Sequence, residues 1–255
     1  MENIEKCELW QGDCLDLMEK MPDKSVDMIL CDLPYHITKN DWDIEIPLFE
    51  LFGKYNRIIK DNGAIVLFAG GLFTYLLIES SFDFDVDWRY NLVWKKTTPT
   101  GFLNANRQPL RIHEDICVFY KKQPTYNPQK TIGHKRKVST AKHKENCKKT
   151  TNYGEHKLKT YDSTERFPTS VLEFATDRQT SALHPTQKPV ALLEHLVKTY
   201  TNEGDTVLDN CMGSGSTGIA CINTNRKFIG IELDEGYFNI AKQRIDEAIK
   251  GGANG

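Results

Sequence analysis

No run of the sequence stays apolar for the roughly 20 residues that a membrane-spanning helix needs. The opening residues, Met1-Glu2-Asn3-Ile4-Glu5-Lys6, are charged where a secretory signal would be apolar. A cytoplasmic location with no membrane partner is therefore the expectation. No Cys-x-x-Cys pair occurs, and the seven cysteines, at positions 7, 14, 31, 117, 147, 211 and 221, are odd in number. Most fall in apolar runs, where a thiol behaves as a small hydrophobe. Reduced core thiols are expected rather than a disulfide framework or a zinc site. No internal repeat is present, and no nuclease motif is recognisable.

Net charge is also scarce, at −2, but the average conceals an asymmetry. Residues 121–160 carry twelve Lys or Arg against only Glu145 and Glu155, a local +10 that leaves −12 on the rest of the chain. Such a segment suits a polyanionic partner. It reads equally as a solvated Lys-rich loop, and the two readings are compatible because such segments order on binding. The 255 residues, 39% hydrophobic and 27% charged, fit one large globular domain or one domain with an insertion.

Short apolar runs at 8–11, 26–31, 64–68, 90–94, 116–120, 206–209 and 228–231 read as strands. Most are continuous rather than alternating, which predicts burial on both faces. Helical patterns occupy 47–59, 189–200 and 234–249. Alternating strands and helices predict an α/β fold with a mainly parallel, twisted sheet and helices on both faces. Residues 121–170 are polar and without sustained period. A structureless stretch that long is unusual inside a compact domain, so a functional insertion is expected there.

Asp32-Leu33-Pro34-Tyr35 ends the strand at 26–31. An acid, a proline-restrained carbonyl and an aromatic ring can hold an amino group on a flat ring and accept its hydrogens. Alone, the tetrapeptide is equally an ordinary Asp-X-Pro turn. Downstream, residues 206–218 read TVLDNCMGSGSTG: a strand ending at Asp209, a glycine-rich turn with Gly213, Ser214 and Gly215, and a helix starting near Ser216. This is a nucleotide-type cofactor arrangement. A second strand follows, ending at Glu232, where an acid can hold two ribose hydroxyls. His184-Pro185-Thr186-Gln187-Lys188-Pro189 precedes this unit and reads by itself as a helix-entry turn.

In this order the pieces resemble the β-class amino-methyltransferases of DNA. DLPY at 32–35 is similar to the family's DPPY motif, and HPTQKP at 184–189 to the segment preceding its cofactor half. DNCMGSGSTG at 209–218 and GIELDEGYFNIAKQRI at 230–245 are similar to its cofactor loop and next strand and helix; GDCLDLMEKMPDKSVDMILCDLPY at 12–35 is similar to the stretch leading to the catalytic loop. The resemblance implies the class I S-adenosylmethionine-dependent methyltransferase fold in circularly permuted order. Residues 1–120 would form the catalytic half, 121–183 the target-recognition insertion, 184–250 the cofactor half and 251–255 a tail. Two departures stand out: Leu33 replaces the first proline, and Asn210-Cys211 replaces the usual Pro-Phe.

The resemblance implies methyl transfer from S-adenosylmethionine to adenine N6 in double-stranded DNA, with the base flipped out of the duplex. Asp32 and the Leu33 carbonyl would accept hydrogens from the amine, and Tyr35 would stack on the base, with Pro34 restraining the loop. His36 and Trp42 would shape the base pocket or simply pack. Glu232 would hold the ribose, Asp13 the adenine amino group of the cofactor, and Asp209 with Gly213, Ser214 and Gly215 the methionine moiety. Lys188 would pair with the methionine carboxylate. Asp13 reads equally as a helix N-cap, and Lys188 as an exposed helix-start residue. Lys135, Arg136, Lys137, Lys142, Lys144, Lys148 and Lys149 would bind DNA phosphates. Arg136, Asn146, Asn152 and Gln129 are of types that read base edges. No metal is called for. A homodimer and a cognate restriction endonuclease are partners the resemblance allows. The rival readings are cytosine-N4 methylation, action on RNA or a protein glutamine, and a catalytically silent DNA- and cofactor-binding regulator.

Overall fold

In a computed structural model, the described residues are 2–4, 7–34, 46–139, 161–175 and 187–252. Two compact units are distinguished: Met1–Asn127 with Ser170–Gly255, and Pro128–Thr169.

The larger unit is built on a nine-stranded sheet. Its strands are β1 (Glu2–Ile4), β2 (Cys7–Gln11), β3 (Val26–Cys31), β4 (Ile59–Ala69), β5 (Asp87–Thr100), β6 (Arg111–Tyr120), β9 (Val171–Glu173), β10 (Thr206–Asp209) and β11 (Lys227–Glu232). Their spatial order is β1-β2-β11-β10-β3-β4-β6-β5-β9. The run β2-β11-β10-β3-β4 is parallel, whereas β6 is antiparallel to both β4 and β5. Gln11 lies opposite Glu232, Asp209 opposite Gly230, Leu208 opposite Ile29, and Cys31 opposite Leu67. The carboxyl ends of these strands therefore share one edge, where ligands bind in open α/β sheets.

Helices α1 (Cys14–Glu19), α2 (Leu48–Ile58) and α3 (Leu72–Ser81) cover one face of the sheet; α4 (Val190–Tyr200), α5 (Ser216–Asn223) and α6 (Glu235–Gly252) cover the other. The pleat divides each strand between them. Ile29, Cys31, Ile65 and Leu67 pack with Leu51, Phe52 and Tyr55, while Met28, Leu30, Val66 and Phe68 pack with Leu192, Leu196, Ala220 and Ile245. Each such burial contributes ~1.5–3 kcal/mol. Two-sided burial is why the strand sequences are continuously apolar. In α2 the buried residues Leu51, Phe52, Tyr55 and Ile58 fall on one stripe, the helical period legible in the sequence.

All seven predicted strand runs lie within strands, and the three predicted helices correspond to α2, α4 and α6. The sequence reading missed α3, whose composition is apolar on several sides: Leu72 and Tyr75 are exposed while Phe73 and Leu77 are buried. It also missed the short edge strands β1 and β9.

The smaller unit contains β7 (Lys137–Val138) paired antiparallel with β8 (Asp162–Ser163), and a bridge between Thr131 and Arg166. Local pairing thus exists where the sequence shows no period, because two-residue strands are too short to display one. Among the described residues, Cys7, Cys14, Cys31, Cys117, Cys211 and Cys221 form no disulfide. Among the described residues no helix is long and apolar enough to cross a membrane, and no cluster of His, Cys, Asp and Glu is disposed to hold a metal ion.

Candidate active site

Four carboxylates stand at the carboxyl ends of four neighbouring strands. Asp13 follows β2, Glu232 ends β11, Asp209 ends β10, and Asp32 follows β3. Asp13 is the N-cap of α1, its Oδ1 accepting from the Leu15 and Asp16 amides at 2.8 and 3.2 Å. A short polar side chain there satisfies donors that the first helical turn leaves open. The capping reading is thus realised, and it holds the carboxylate beside Glu232: Gly12 N donates to the Glu232 carbonyl at 2.9 Å.

Glu232 faces the glycine turn. Its Oε2 accepts from Gly213 N at 2.8 Å and its Oε1 from Asp234 N at 2.9 Å. Burial pushes its pKa up, partly offset by these amides. Two amides use only part of a carboxylate's acceptor capacity, so it can still accept from a diol. Gly213 and Gly215 have φ of +51° and +79°, which L side chains rarely adopt. A Cβ on Gly215 would also meet Ala241 Cβ at 3.0 Å. The turn therefore lies flat on α6 and delivers its backbone to the N-terminus of α5. Arg244 donates to the Ser214 carbonyl and, at 2.9 Å, to Ser214 Oγ, fastening the turn from α6.

Asp209 lies beneath this turn and is buried. Its oxygens accept from Cys211 N at 3.1 Å and Thr217 Oγ1 at 2.6 Å, and burial raises its pKa to about 6. Expected to touch the methionine moiety, it instead ties the strand end to the first turn of α5. Ser214 is likewise buried, 4% exposed, with Gln187 Oε1 at 3.4 Å.

Lys188 differs most from expectation. Rather than standing free for a methionine carboxylate, its Nζ donates to Asp32 Oδ2, lies 3.4 Å from Glu114 Oε2, and sits 4.9 Å above the Phe68 ring. Its side chain is only 10% exposed. Burial alone would lower its pKa, but Asp32 and Glu114 outweigh that and raise it. Glu114 is also bonded by Lys96, and the two cations hold its pKa below the usual range despite burial. Asp32 is thus held from behind by a buried chain of alternating charge, Lys188, Glu114 and Lys96. Leu33 is 3% exposed and packed into the core, so its side chain anchors the loop.

Tyr35, His36, Trp42, Lys142, Lys144, Lys148, Lys149, Asn146 and Asn152 lie outside the described residues, as does 184–186 of HPTQKP. In the smaller unit Lys135 and Lys137 are exposed. Arg136, however, makes a two-pronged pair with Asp162, at 2.7 and 2.6 Å. That pairing competes with a phosphate or a base edge for the same guanidinium. Gln129 is half-buried. The sequence reading missed Glu114 and Lys96, since charges in strands carry no motif. Glu114 interrupts neither period, and only the fold brings it to Lys188.

A permuted class I methyltransferase sheet, with a glycine turn and a strand-end acid beside Asp32, defines a group-transfer enzyme of the amino-methylating type. The DNA methylase family model matches residues 26–243, and the chain belongs to that family. A curated relative, the DNA adenine methyltransferase YhdJ of Escherichia coli (strain K12), is 28% identical over 93% of this chain and 82% of its own. The crystal structure of the M1.HpyAVI–SAM complex superposes with a TM-score of 0.66 at 24% identity, covering 94% of this chain and 99% of that one. The PvuII cytosine-N4-specific DNA methyltransferase gives 0.67 at 15% identity, covering 98% and 93%. A sequence relative named for adenine and a fold neighbour named for cytosine thus both match the chain.

Proposed function

We propose that this DNA methylase transfers the methyl of S-adenosylmethionine to adenine N6 at a specific site in double-stranded DNA, with the base flipped out. The observation that carries this reading is the Asp32 carboxylate, oriented by buried Lys188 at the same sheet edge as Glu232 and the glycine turn. When bound, S-adenosylmethionine supplies an electrophilic methyl on sulfur. Glu232 would hold the ribose diol with its remaining lone pairs, and Asp13 the adenine amino group. With Lys188 committed to Asp32, and the Gly213 and Gly215 amides donating to Glu232 and the Met212 carbonyl, the methionine carboxylate falls to the open amides at the N-terminus of α5.

An exocyclic amine conjugated into a base is a poor nucleophile. Asp32 and the Leu33 carbonyl would accept its two hydrogens, favouring pyramidal nitrogen and stabilising the positive charge that develops as the N–CH3 bond forms and the S–CH3 bond breaks, with the sulfur leaving as a neutral thioether. The surplus proton then leaves through Asp32 to water. Holding the reactants in line supplies much of the rate. Lys135 and Lys137 would contribute phosphate contacts, with Lys142, Lys144, Lys148 and Lys149. Adenine is favoured by the Asp of the catalytic motif, since cytosine-N4 members of the resembled family more often carry Ser there, and by the name of the E. coli relative.

Labelled methyl transfer to unmethylated genomic DNA, followed by nucleoside mass analysis, tests the reading. Label in N6-methyladenine is expected, and Asp32→Ala should abolish it while cofactor binding persists. Label in N4-methylcytosine would overturn the base and keep the chemistry. Full activity of Asp32→Ala would overturn the catalytic assignment. Sedimentation of the purified chain tests the homodimer. Protection of DNA from a co-expressed endonuclease tests the cognate restriction partner.

A further inference from the structure

Beyond the basic insertion, a second element carries the marks of a DNA-contacting part. Strands β5 and β6 run past the sheet's carboxyl edge: Ala69, the last residue of β4, lies opposite Asp115, and the hairpin continues beyond it through Lys95 opposite His113. Every residue from Thr97 to His113 is exposed. Residues 95–113 hold four cations, Lys95, Lys96, Arg107 and Arg111, and no acid. Lys95 pairs with Glu173 and Lys96 with Glu114, whereas Arg107 and Arg111 make no ion pair with any described residue. The tip is a single 3₁₀ turn, Phe102–Asn104, presenting Phe102 and Leu103 at 77% and 85% exposure. Two large apolar side chains at the end of a cationic arm are costly in water and call for an occupant.

We propose that the 95–113 hairpin is a DNA arm, with Arg107 and Arg111 on backbone phosphates and Phe102-Leu103 wedged against the base stack beside the flipped nucleotide. This deepens the function proposed above and rests on it. Charge complementarity selects the occupant: Arg107 and Arg111 stand on an acid-free arm with no ion pair to any described residue, and such cations attract a polyanion. Position supports it too. The arm's base carries Lys96 and Glu114, which lead through Lys188 to Asp32, so the arm rises from the edge that holds the reactive carboxylate. An apolar wedge at such a place has a defined use, filling the space that an extruded base leaves and delaying its return.

The test uses the full chain and two duplexes containing a site mapped by sequencing, one with adenine at the target base for methyl transfer and one with 2-aminopurine there for the flipping signal. Arg107→Gln with Arg111→Gln should lower the slope of log affinity against log salt by about 2, near 0.9 per phosphate contact. Phe102→Ala with Leu103→Ala should lower kcat/KM and the 2-aminopurine signal by about tenfold, the scale of one stacking contact. Cofactor affinity and melting temperature should match the wild type. Wild-type salt slope, signal and transfer rate in both variants would overturn the arm. Unchanged DNA behaviour with a dimer that dissociates in the tip variant would assign the tip to a second copy instead. A wild-type chain that methylates no DNA would overturn the underlying function, and is distinguished by failing before any variant is made.

Discussion

Replacing Lys188 with methionine separates two roles for one residue. Methionine keeps most of the side chain's length and its contact with the Phe68 ring, and removes only the charge. In the folded protein that charge faces Asp32 and, at 3.4 Å, Glu114. A charge pair at ~4 Å with an effective dielectric of ~20 is worth ~4 kcal/mol before desolvation. Removing one partner of a buried pair costs ~3–5 kcal/mol, because the other charge is left uncompensated. Lys96 still neutralises Glu114, so the low end, ~3 kcal/mol, applies. If the deficit falls on the transition state, kcat drops about 100-fold.

Direction in pH follows from the shifts. Lys188 is raised, so its contribution to stability is complete below the ordinary lysine range and is lost only as pH climbs through its folded value. Glu114 is lowered, so its contribution is present above the ordinary glutamate range and is lost as pH falls through its folded value. Between roughly pH 5 and 10 the wild type keeps both, and Lys188→Met should melt lower throughout that window. With the cation gone from beside Asp32, the acid limb of the pH–rate profile should move upward. The assay is single-turnover methyl transfer across pH, beside calorimetric cofactor binding. A large rise in cofactor Kd with unchanged kcat would refute the reasoning and return Lys188 to the methionine carboxylate.

Glu232→Gln replaces two acceptor oxygens with one and places an NH₂ against a turn amide. The cofactor Kd should rise about 10- to 100-fold, matching the ~1.5–3 kcal/mol of hydrogen bonds to a charged group; calorimetry showing wild-type affinity would remove Glu232 from the ribose. Asp209 has a folded pKa of about 6 against an ordinary 3.8, so the stability it contributes is present at low pH and is lost as pH rises through about 6. Asp209→Asn does not titrate, so its unfolding free energy relative to wild type should climb between about pH 4 and 6, by at most ~3 kcal/mol, and then level off. A difference that stays flat across that range would contradict the buried, desolvated state of Asp209.

The fold was legible because two-sided burial writes itself into sequence. A strand such as 26–31 must be apolar at every position when Met28 and Leu30 face one helical layer and Ile29 and Cys31 the other. Helix α3 was not legible, since Leu72 and Tyr75 break the sidedness that periodicity reads. The hairpin's extent was hidden for a related reason: residues outside the core carry no burial pattern. Backbone landmarks of the site, the strand-end acids and the glycine turn, were readable because strand ends and positive φ demand particular residues. Pairings were not. Spacing does not reveal that Lys188 meets Asp32, 156 residues away in sequence.

The departures from the family pattern acquire a physical reading in the same terms. Asn210, where Pro is usual, accepts from the Tyr55 hydroxyl at 2.6 Å in a buried bond between the glycine loop and α2. Cys211, where Phe is usual, contacts the thiols of Cys14 and Cys31. Each of those cysteines adjoins a site carboxylate in sequence, Cys14 after Asp13 and Cys31 before Asp32. All three thiol pKa values are raised, so they are protonated packing groups rather than nucleophiles. An aromatic ring at 211 has been exchanged for a cluster of small, polarisable groups spanning three strand ends. Such a cluster packs next to Asp13, Asp32 and Asp209 in sequence, where position 211 presents no aromatic ring. Leu33 follows the same logic: buried beneath the loop, it trades a proline's rigidity for apolar anchorage, while Pro34 restrains its backbone.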